Sequence, residues 1–466
     1  MKREWNKFQR AISWAALLGI STAAYGQTTP QVEQILNRLD QLEKENQALL
    51  DEVRALRQEV SGLRTPPAEP GAAATESAES QAIDQNRIDE LAQTKVEASE
   101  KFPIRITGMA LFNASVNGRF NGGTENPLVA SPVPGEMTGD GTLRQSTLGF
   151  LFNGPETFWN GKISGSLYMD FFGGSTASLD HLVRLRTAAI DIDWKNTSVM
   201  FGQDKPIISP RNPDSYAQVG YSPLSGAGNL WLWQPQARVE QRFSLGENSG
   251  LRMQAGVIVT SSLDYPSSPY VYMASSQQQE YSRPGAEGRF ELWHRWGSGT
   301  SPGNDRFELA GGYHYNQNRV IETLVPSEIY SFDWFLRPIP KLEFSGMVFH
   351  GQNVEPLGAL PQGYIVQAYD GVGDVNAVHS TGGWAQIRVP ITGRLAWDVY
   401  GGQQDDRNSD LASGYIGKNQ GYFSNLMYRI APNVVVSLEG GQVRTTYLGL
   451  GNRLNDHYDL GVAYLF

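Results

Sequence analysis

The chain has 466 residues, a formal net charge of −10 and no cysteine. The negative balance argues against nucleic acid as a partner. Without cysteine the fold cannot rest on disulfides, and no thiol is available for a lipid anchor.

Residues 1–26 have the organisation of a removable secretory signal. Lys2, Arg3, Lys7 and Arg10 form a basic head, "AISWAALLGISTAA" is the apolar run, and Ala24-Tyr25-Gly26 is a small-x-small cleavage site. The other reading is a membrane anchor, for which this run is too short. No later stretch approaches the ~20 apolar residues of a membrane helix, so any membrane-spanning part must be made of strands.

Residues 27–63 hold a heptad repeat. Val32, Leu39, Asn46, Val53 and Val60 occupy the a positions; Ile35, Leu42, Leu49, Leu56 and Leu63 occupy the d positions. The spacing predicts an α-helical coiled coil about 50 Å long, in which Asn46 fixes register. Val at a with Leu at d leans towards two strands, and three remain open. Residues 64–101 follow as a Pro/Ala/Ser/Glu linker, "RTPPAEPGAAATESAESQ", and a short helical segment, "IDQNRIDELAQTKVEAS".

At Phe102 the helical period gives way to alternation, and residues 102–466 read as an all-β transmembrane barrel of about 16 antiparallel strands. In "IRITGMALFNASVN" Ile104, Ile106, Phe112 and Val116 alternate with Arg105, Thr107, Asn113 and Asn117. Strand centres fall near residues 111, 148, 167, 188, 199, 240, 255, 291, 311, 331, 346, 386, 398, 424, 438 and 461. Short connections ("KNT", "GENSG", "RPIPK", "PITG", "APN") alternate with long ones at 118–141, 204–234, 262–285, 352–380 and 444–455. That parity belongs to outer-membrane barrels, with short periplasmic turns and long external loops. An even strand number puts both ends of the barrel, and the coiled coil, in the periplasm. The chain stops on "DHYDLGVAYLF", with Tyr464 and Phe466 in the alternating aromatic set. A last strand paired with the first leaves no open edge. The ending also resembles the assembly signal of bacterial outer-membrane barrels.

The six histidines are scattered, and no zinc-protease, nucleophile-elbow or phosphate-loop motif is present. The sequence therefore predicts no enzyme, no cofactor and no metal. From Phe102 onwards there are 21 Arg and 5 Lys. Arg105, Arg238, Arg242, Arg252, Arg289, Arg388, Arg394 and Arg429 occupy the polar set of their strands. Arg184 and Arg186 share a face of "LVRLRTAAIDIDW", whose phase changes near Ala188. Lumen-side carboxylates include Glu240, Glu291, Glu308, Glu343, Asp398 and Glu439, most of them on the eighth strand or later. Walls of opposite sign would set up a transverse field in the pore. The long segment "DKPIISPRNPDSYAQVGYSPLSGAGNLWLWQP" is too aromatic for disorder. It is expected to fold into the barrel as a constriction, with Lys205, Arg211 and Asp214 near the narrowest point. Arg105, Arg184, Arg186, Lys205, Arg211, Arg238 and Arg242 are the candidate pore-lining, anion-binding residues.

The heptad rod, the linker, "RQSTLGFLFNGPE", "LYMDFFGG", "LVRLRTAAIDIDW" followed by "FGQ", and the terminal Phe resemble the DcaP-like outer-membrane porins, relatives of the phosphate-selective O/P porins. The resemblance implies a trimer of sixteen-stranded barrels, a periplasmic coiled coil and passive uptake of small anions. Five lysines make a lysine ladder of the phosphate type unexpected. The expected function is a diffusion channel for small hydrophilic, anionic solutes, sited in outer-membrane lipid. The alternative is a structural barrel whose coiled coil touches peptidoglycan.

Overall fold

A computed structural model describes residues 104–174, 181–260, 279–296, 305–320, 323–369 and 372–466. The signal, coiled-coil and linker segments, and with them every heptad position from Val32 to Leu63, lie outside the described residues.

The strands are β1 (Ile104–Asn117), β2 (Thr138–Thr142), β3 (Thr147–Thr157), β4 (Gly161–Gly173), β5 (Leu182–Asp193) and β6 (Thr197–Asp204). They continue with β7 (Gln234–Ser244), β8 (Ser249–Ile258), β9 (Gln279–Trp296), β10 (Asp305–Val320), β11 (Thr323–Ile339), β12 (Leu342–Gln352) and β13 (Tyr364–Tyr369). The last six are β14 (Val372–Ala377), β15 (His379–Pro390), β16 (Leu395–Asp406), β17 (Ile416–Ala431), β18 (Val434–Tyr447) and β19 (Gly451–Leu465). β13 and β14 form a separate hairpin, and the other 17 strands form one sheet. β2 pairs with Asn113–Asn117 of β1 while β3 pairs with Ile104–Met109, so the two share one position in the wall. The wall therefore has sixteen antiparallel staves, and each of the sixteen expected centres lies within one of them.

The sheet closes by pairing β1 with β19, from Met109↔Leu465 to Asn117↔His457. Closure removes both edges, so every stave has two partners. Both ends of the wall lie together, and among the described residues the connections at that end are short: 158–160, 194–196, 245–248, 340–341, 391–394 and 432–433. The opposite end carries the long segments 205–233 and 353–378, the latter containing the β13–β14 hairpin. One expected long loop is not found. At 444–455 the strands keep pairing through Thr445↔Arg453, and only 448–450 turn the chain. Gly449 and Gly451 take φ values of 80° and 81° there, a conformation that side chains resist.

The wall is inside out relative to a soluble protein. On β19 Tyr458, Leu460, Val462 and Tyr464 face outwards, while Asp459, Gly461 and Ala463 are buried on the inner side. The same outward band includes Phe112, Phe201, Val257, Phe290, Phe332, Val348 and Leu438. An apolar outer surface encircling the molecule fits lipid rather than water. Among the described residues no helix is long and apolar enough to cross a membrane. The main apolar core lies within the barrel, where Ile208, Leu224, Ala227 and Leu230 of segment 205–233 pack on Ile329, Met347, Trp384, Tyr400, Phe423 and Val443 of the wall.

Candidate pore and its constriction loop

Segment 205–233 folds into the lumen, as the sequence predicts, and runs along the inner wall. Prolines 206, 210 and 213 lack an N–H and bend the chain away from strand geometry. Wall side chains then hold its backbone. Glu287 of β9 accepts from the Ile207 N–H at 2.5 Å and meets His314 Nδ1 of β10 at 2.9 Å. Ser331 of β11 donates to the Ile208 carbonyl at 3.1 Å. Gln386 of β15 accepts from the Asp214 N–H at 2.8 Å, and Asn425 of β17 donates to the Asp214 carbonyl at 3.0 Å. Ser215 donates to Glu439 of β18 at 2.6 Å, and Asn113 of β1 donates to the Tyr216 carbonyl at 2.8 Å. Gln145, just before β3, donates to the Ala217 carbonyl at 2.7 Å and accepts from the N–H groups of Val219 and Gly220 at 2.6 and 2.8 Å. Arg186 and Arg184 of β5 donate to the Val219 and Gly220 carbonyls. In fourteen residues, Ile207 to Gly220, the loop passes most of the inner circumference.

Two other segments close in from the same end. The Ala130 N–H donates to Thr445 at 2.8 Å, and the Tyr447 hydroxyl donates to the Ala130 carbonyl at 2.7 Å. Asn419 donates to both the Leu128 and Gly226 carbonyls. The Leu232 N–H donates to the Leu357 carbonyl at 3.2 Å, and Gln234 donates to the Pro356 carbonyl at 2.6 Å. Together with the apolar core these contacts fill the lumen along β11–β18. On the β7–β10 arc Arg238, Arg242, Arg252 and Arg306 keep 24–37% of their side chains exposed.

The expected residues do not gather in one cluster. Arg184 and Arg186 grip one fully buried carboxylate, Asp170 of β4, at 2.7 and 3.1 Å. A register shift against Tyr168–Met169 marks the phase change near Ala188 and turns both arginines inwards. The Trp233 ring lies 5.3 and 4.6 Å from their guanidinium carbons. Nearby, Arg238 pairs with Asp204 at 3.0 Å, and Lys205 follows at the start of the loop. Burial lowers the Lys205 ammonium below the usual lysine range; Asp204 opposes this, and Arg186 adds to it. Towards the short-turn end Arg242 pairs with Asp193 at 2.6 Å and Glu240 at 3.3 Å.

Arg211 stands apart from these. It forms ion pairs with Glu308 and Asp333 and lies 3.7 Å from Glu291. Asp333 also takes Arg289 at 2.8 Å. Asp214 pairs with Arg388 at 2.8 Å. Arg105 is exposed on the inner set of β1 and has no ion-pair partner among the described residues.

Walls of opposite sign are not found. Asp170 and Asp204 face early arginines from the adjacent stave, and Asp193 reaches Arg242 from two staves away, so the charges interleave. Those aspartates sit at strand ends or beyond the phase change, where alternation gives no clear direction. Gln145, Asp170 and Glu287, which hold the loop, went unmarked for a related reason: each acts on backbone or side chains far away in sequence.

Five of the six histidines, His294, His314, His350, His379 and His457, lie on wall strands, and His181 immediately precedes β5. Ser249 Oγ and His294 Nδ1 lie 2.8 Å apart where β8 and β9 pair.

No known family model and no curated protein sequence matches the chain. Solved structures do. The outer membrane channel DcaP of Acinetobacter baumannii is 13% identical, with a TM-score of 0.58 over 78% of this chain and 97% of that one. An anion-selective porin from Comamonas acidovorans is 10% identical, with a TM-score of 0.51 over 78% of this chain and 99% of that one. The likeness is one of fold: the described part of this chain closes as a sixteen-stave antiparallel barrel similar to those two structures.

Proposed function

We propose that the protein is an outer-membrane porin through which small hydrophilic solutes diffuse, with anions preferred. The observation that carries this reading is the girdling loop. A wall apolar outside and polar inside needs no such loop to anchor a rod, whereas a channel needs a fixed narrow point. The solute path runs beside the β5–β10 arc, past Arg184, Arg186, Lys205, Arg238 and Arg242. Arginine stays protonated at any working pH and offers a planar fork to carboxylate or phosphate. The paired acids trim the net field; the exposed guanidinium edges still face the passage.

The barrel ends that lie together face the periplasm in this reading, the compartment also expected for the coiled coil of residues 27–63. Three copies associate, since the heptad seam buries its apolar face only between chains. Crosslinking should saturate at three; saturation at two would exclude the trimer. The defining experiment is conductance of the purified full-length protein in planar bilayers. Discrete channels whose reversal potential favours chloride over potassium are expected. Absence of channels would leave the barrel as a membrane support for the rod.

A further inference from the structure

One register row crosses seven staves of the inner wall. Glu343, Arg388, Asp398, Asn425, Glu439, Asp459 and Ser115 stand beside one another in turn, from β12 to β1. The row holds four carboxylates and one guanidinium. Arg388 is engaged by Asp214 at 2.8 Å and Asp398 at 3.6 Å, and Glu343 has Arg337 at 3.6 Å. Glu439 and Asp459 are left over. They are direct cross-strand neighbours, 4% and 5% exposed, and no basic side chain pairs with either among the described residues. Like charges in that arrangement repel at a Cβ separation of about 5 Å. Burial removes the water that would screen them.

Their hydrogen bonds come only from neutral donors. Glu439 accepts from Ser215 at 2.6 Å, Tyr400 at 2.7 Å and Asn425 at 3.1 Å. Asp459 Oδ1 accepts from Asn113 at 2.9 Å. A second observation points to a ligand. Asp459 Oδ2, Asn425 Oδ1 and Ser437 Oγ are buried without partners, and Asn425 and Ser437 are each 1% exposed. Ser437 faces Gly461 across the ladder. Gly461 adds no side chain there and Tyr216 closes over it: a Cβ on Gly461 would stand 3.3 Å from Tyr216 Cβ and 3.6 Å from Asn113 Nδ2 and Ser437 Cβ.

We infer that Asp459, Glu439, Asn425 and Ser437 form a binding site for a hard divalent cation, Ca2+, between the wall and the constriction loop. Every available donor is oxygen, and two carboxylates match a charge of +2. Flexible, many-oxygen coordination suits Ca2+ better than Mg2+, which demands near-ideal octahedral geometry. Because Ser215 is bonded to Glu439 and Tyr216 covers Gly461, the ion would fasten this stretch of the loop to β17–β19.

The test uses the full-length oligomer in detergent after chelator treatment. Tb3+ is added as a luminescent Ca2+ analogue, with the Tyr400 ring, bonded to Glu439, as sensitiser, and Ca2+ then competes for the site. Wild type should give sensitised emission that Ca2+ removes. Asp459→Asn should lower Ca2+ affinity by at least about tenfold, since affinity follows the charge count of the ligands. Ser437→Ala, which removes one hydroxyl, should weaken it less; it decides the matter if Asp459→Asn fails to fold. Equal binding by wild type and both variants would place the ion on lipid or surface carboxylates and overturn the site. So would a wild type indifferent to Tb3+ and Ca2+, a result that would mean the two carboxylates share a proton.

Discussion

The ring of Phe466 lies over Gly108. A Cβ on that glycine would stand 2.9 Å from the ring, and the two residues exchange both backbone hydrogen bonds, at 2.9 and 3.2 Å. The last residue of the chain thus seals the barrel seam with its main chain and shields it with its side chain. Deleting Phe466, or replacing it with Asp, should remove most of the heat-modifiable folded barrel from outer-membrane fractions, as judged by gel mobility. Gly108→Ala should do the same in milder form, because its Cβ would also press on the Thr147 carbonyl. Wild-type levels of the Phe466 variants would make the seam contact incidental.

Asp170 holds two arginines and, through them, the Val219–Gly220 stretch of the loop. Asp170→Asn should destabilise the barrel by about 3–5 kcal/mol, the usual loss when one partner of a buried ion pair is removed. The freed guanidiniums should also raise anion preference. Thermal unfolding and reversal potentials in a salt gradient measure the two effects separately. A variant of unchanged stability would show that Trp233 and the loop carbonyls suffice to hold Arg184 and Arg186.

Replacing Arg238 and Arg242 together with Ala leaves Asp204, Asp193 and Glu240 without these cations on the exposed arc. The reversal potential should move towards cation selectivity. In wild type the anion preference should fade as salt rises, since screening acts within ~10 Å at 0.1 M. Cation preference in wild type at low salt would reassign these arginines as braces for neighbouring acids.

Lys205 offers a pH signature. Burial disfavours its charged form, so its proton leaves below the ordinary lysine value of 10.5. Each lost proton removes a positive charge beside the passage, so anion preference should weaken on the alkaline side, starting below pH 10.5. Lys205→Arg keeps the charge and should flatten the profile. A slope that survives in Lys205→Arg would trace the effect to another group.

The stave pattern was legible because facing is a local property. Tyr458, Leu460 and Val462 alternate with Asp459, Gly461 and Ala463, and a two-residue period leaves no doubt about which set meets lipid. Partners are not local. That Glu439 stands beside Asp459, or that Asp170 serves both Arg184 and Arg186, depends on register between staves and on a bulge. The expected loop at 444–455 failed for a related reason. Glycine and asparagine in "LGLGN" mark a turn, but cross-strand pairing beyond the membrane band sets its length. The constriction loop was visible from its aromatics and prolines; its route round the wall was not, since it is written in Gln145, Glu287, Gln386 and Asn425.

That route has an evolutionary consequence. From Ile207 to Gly220 the wall grips the loop chiefly by its amides and carbonyls, groups that every residue type carries, proline's missing amide excepted. The hoop can keep its shape while many of the side chains it displays are exchanged. A hoop held this way can therefore change the surface it presents by edits to a short stretch of sequence, with the barrel left as it is.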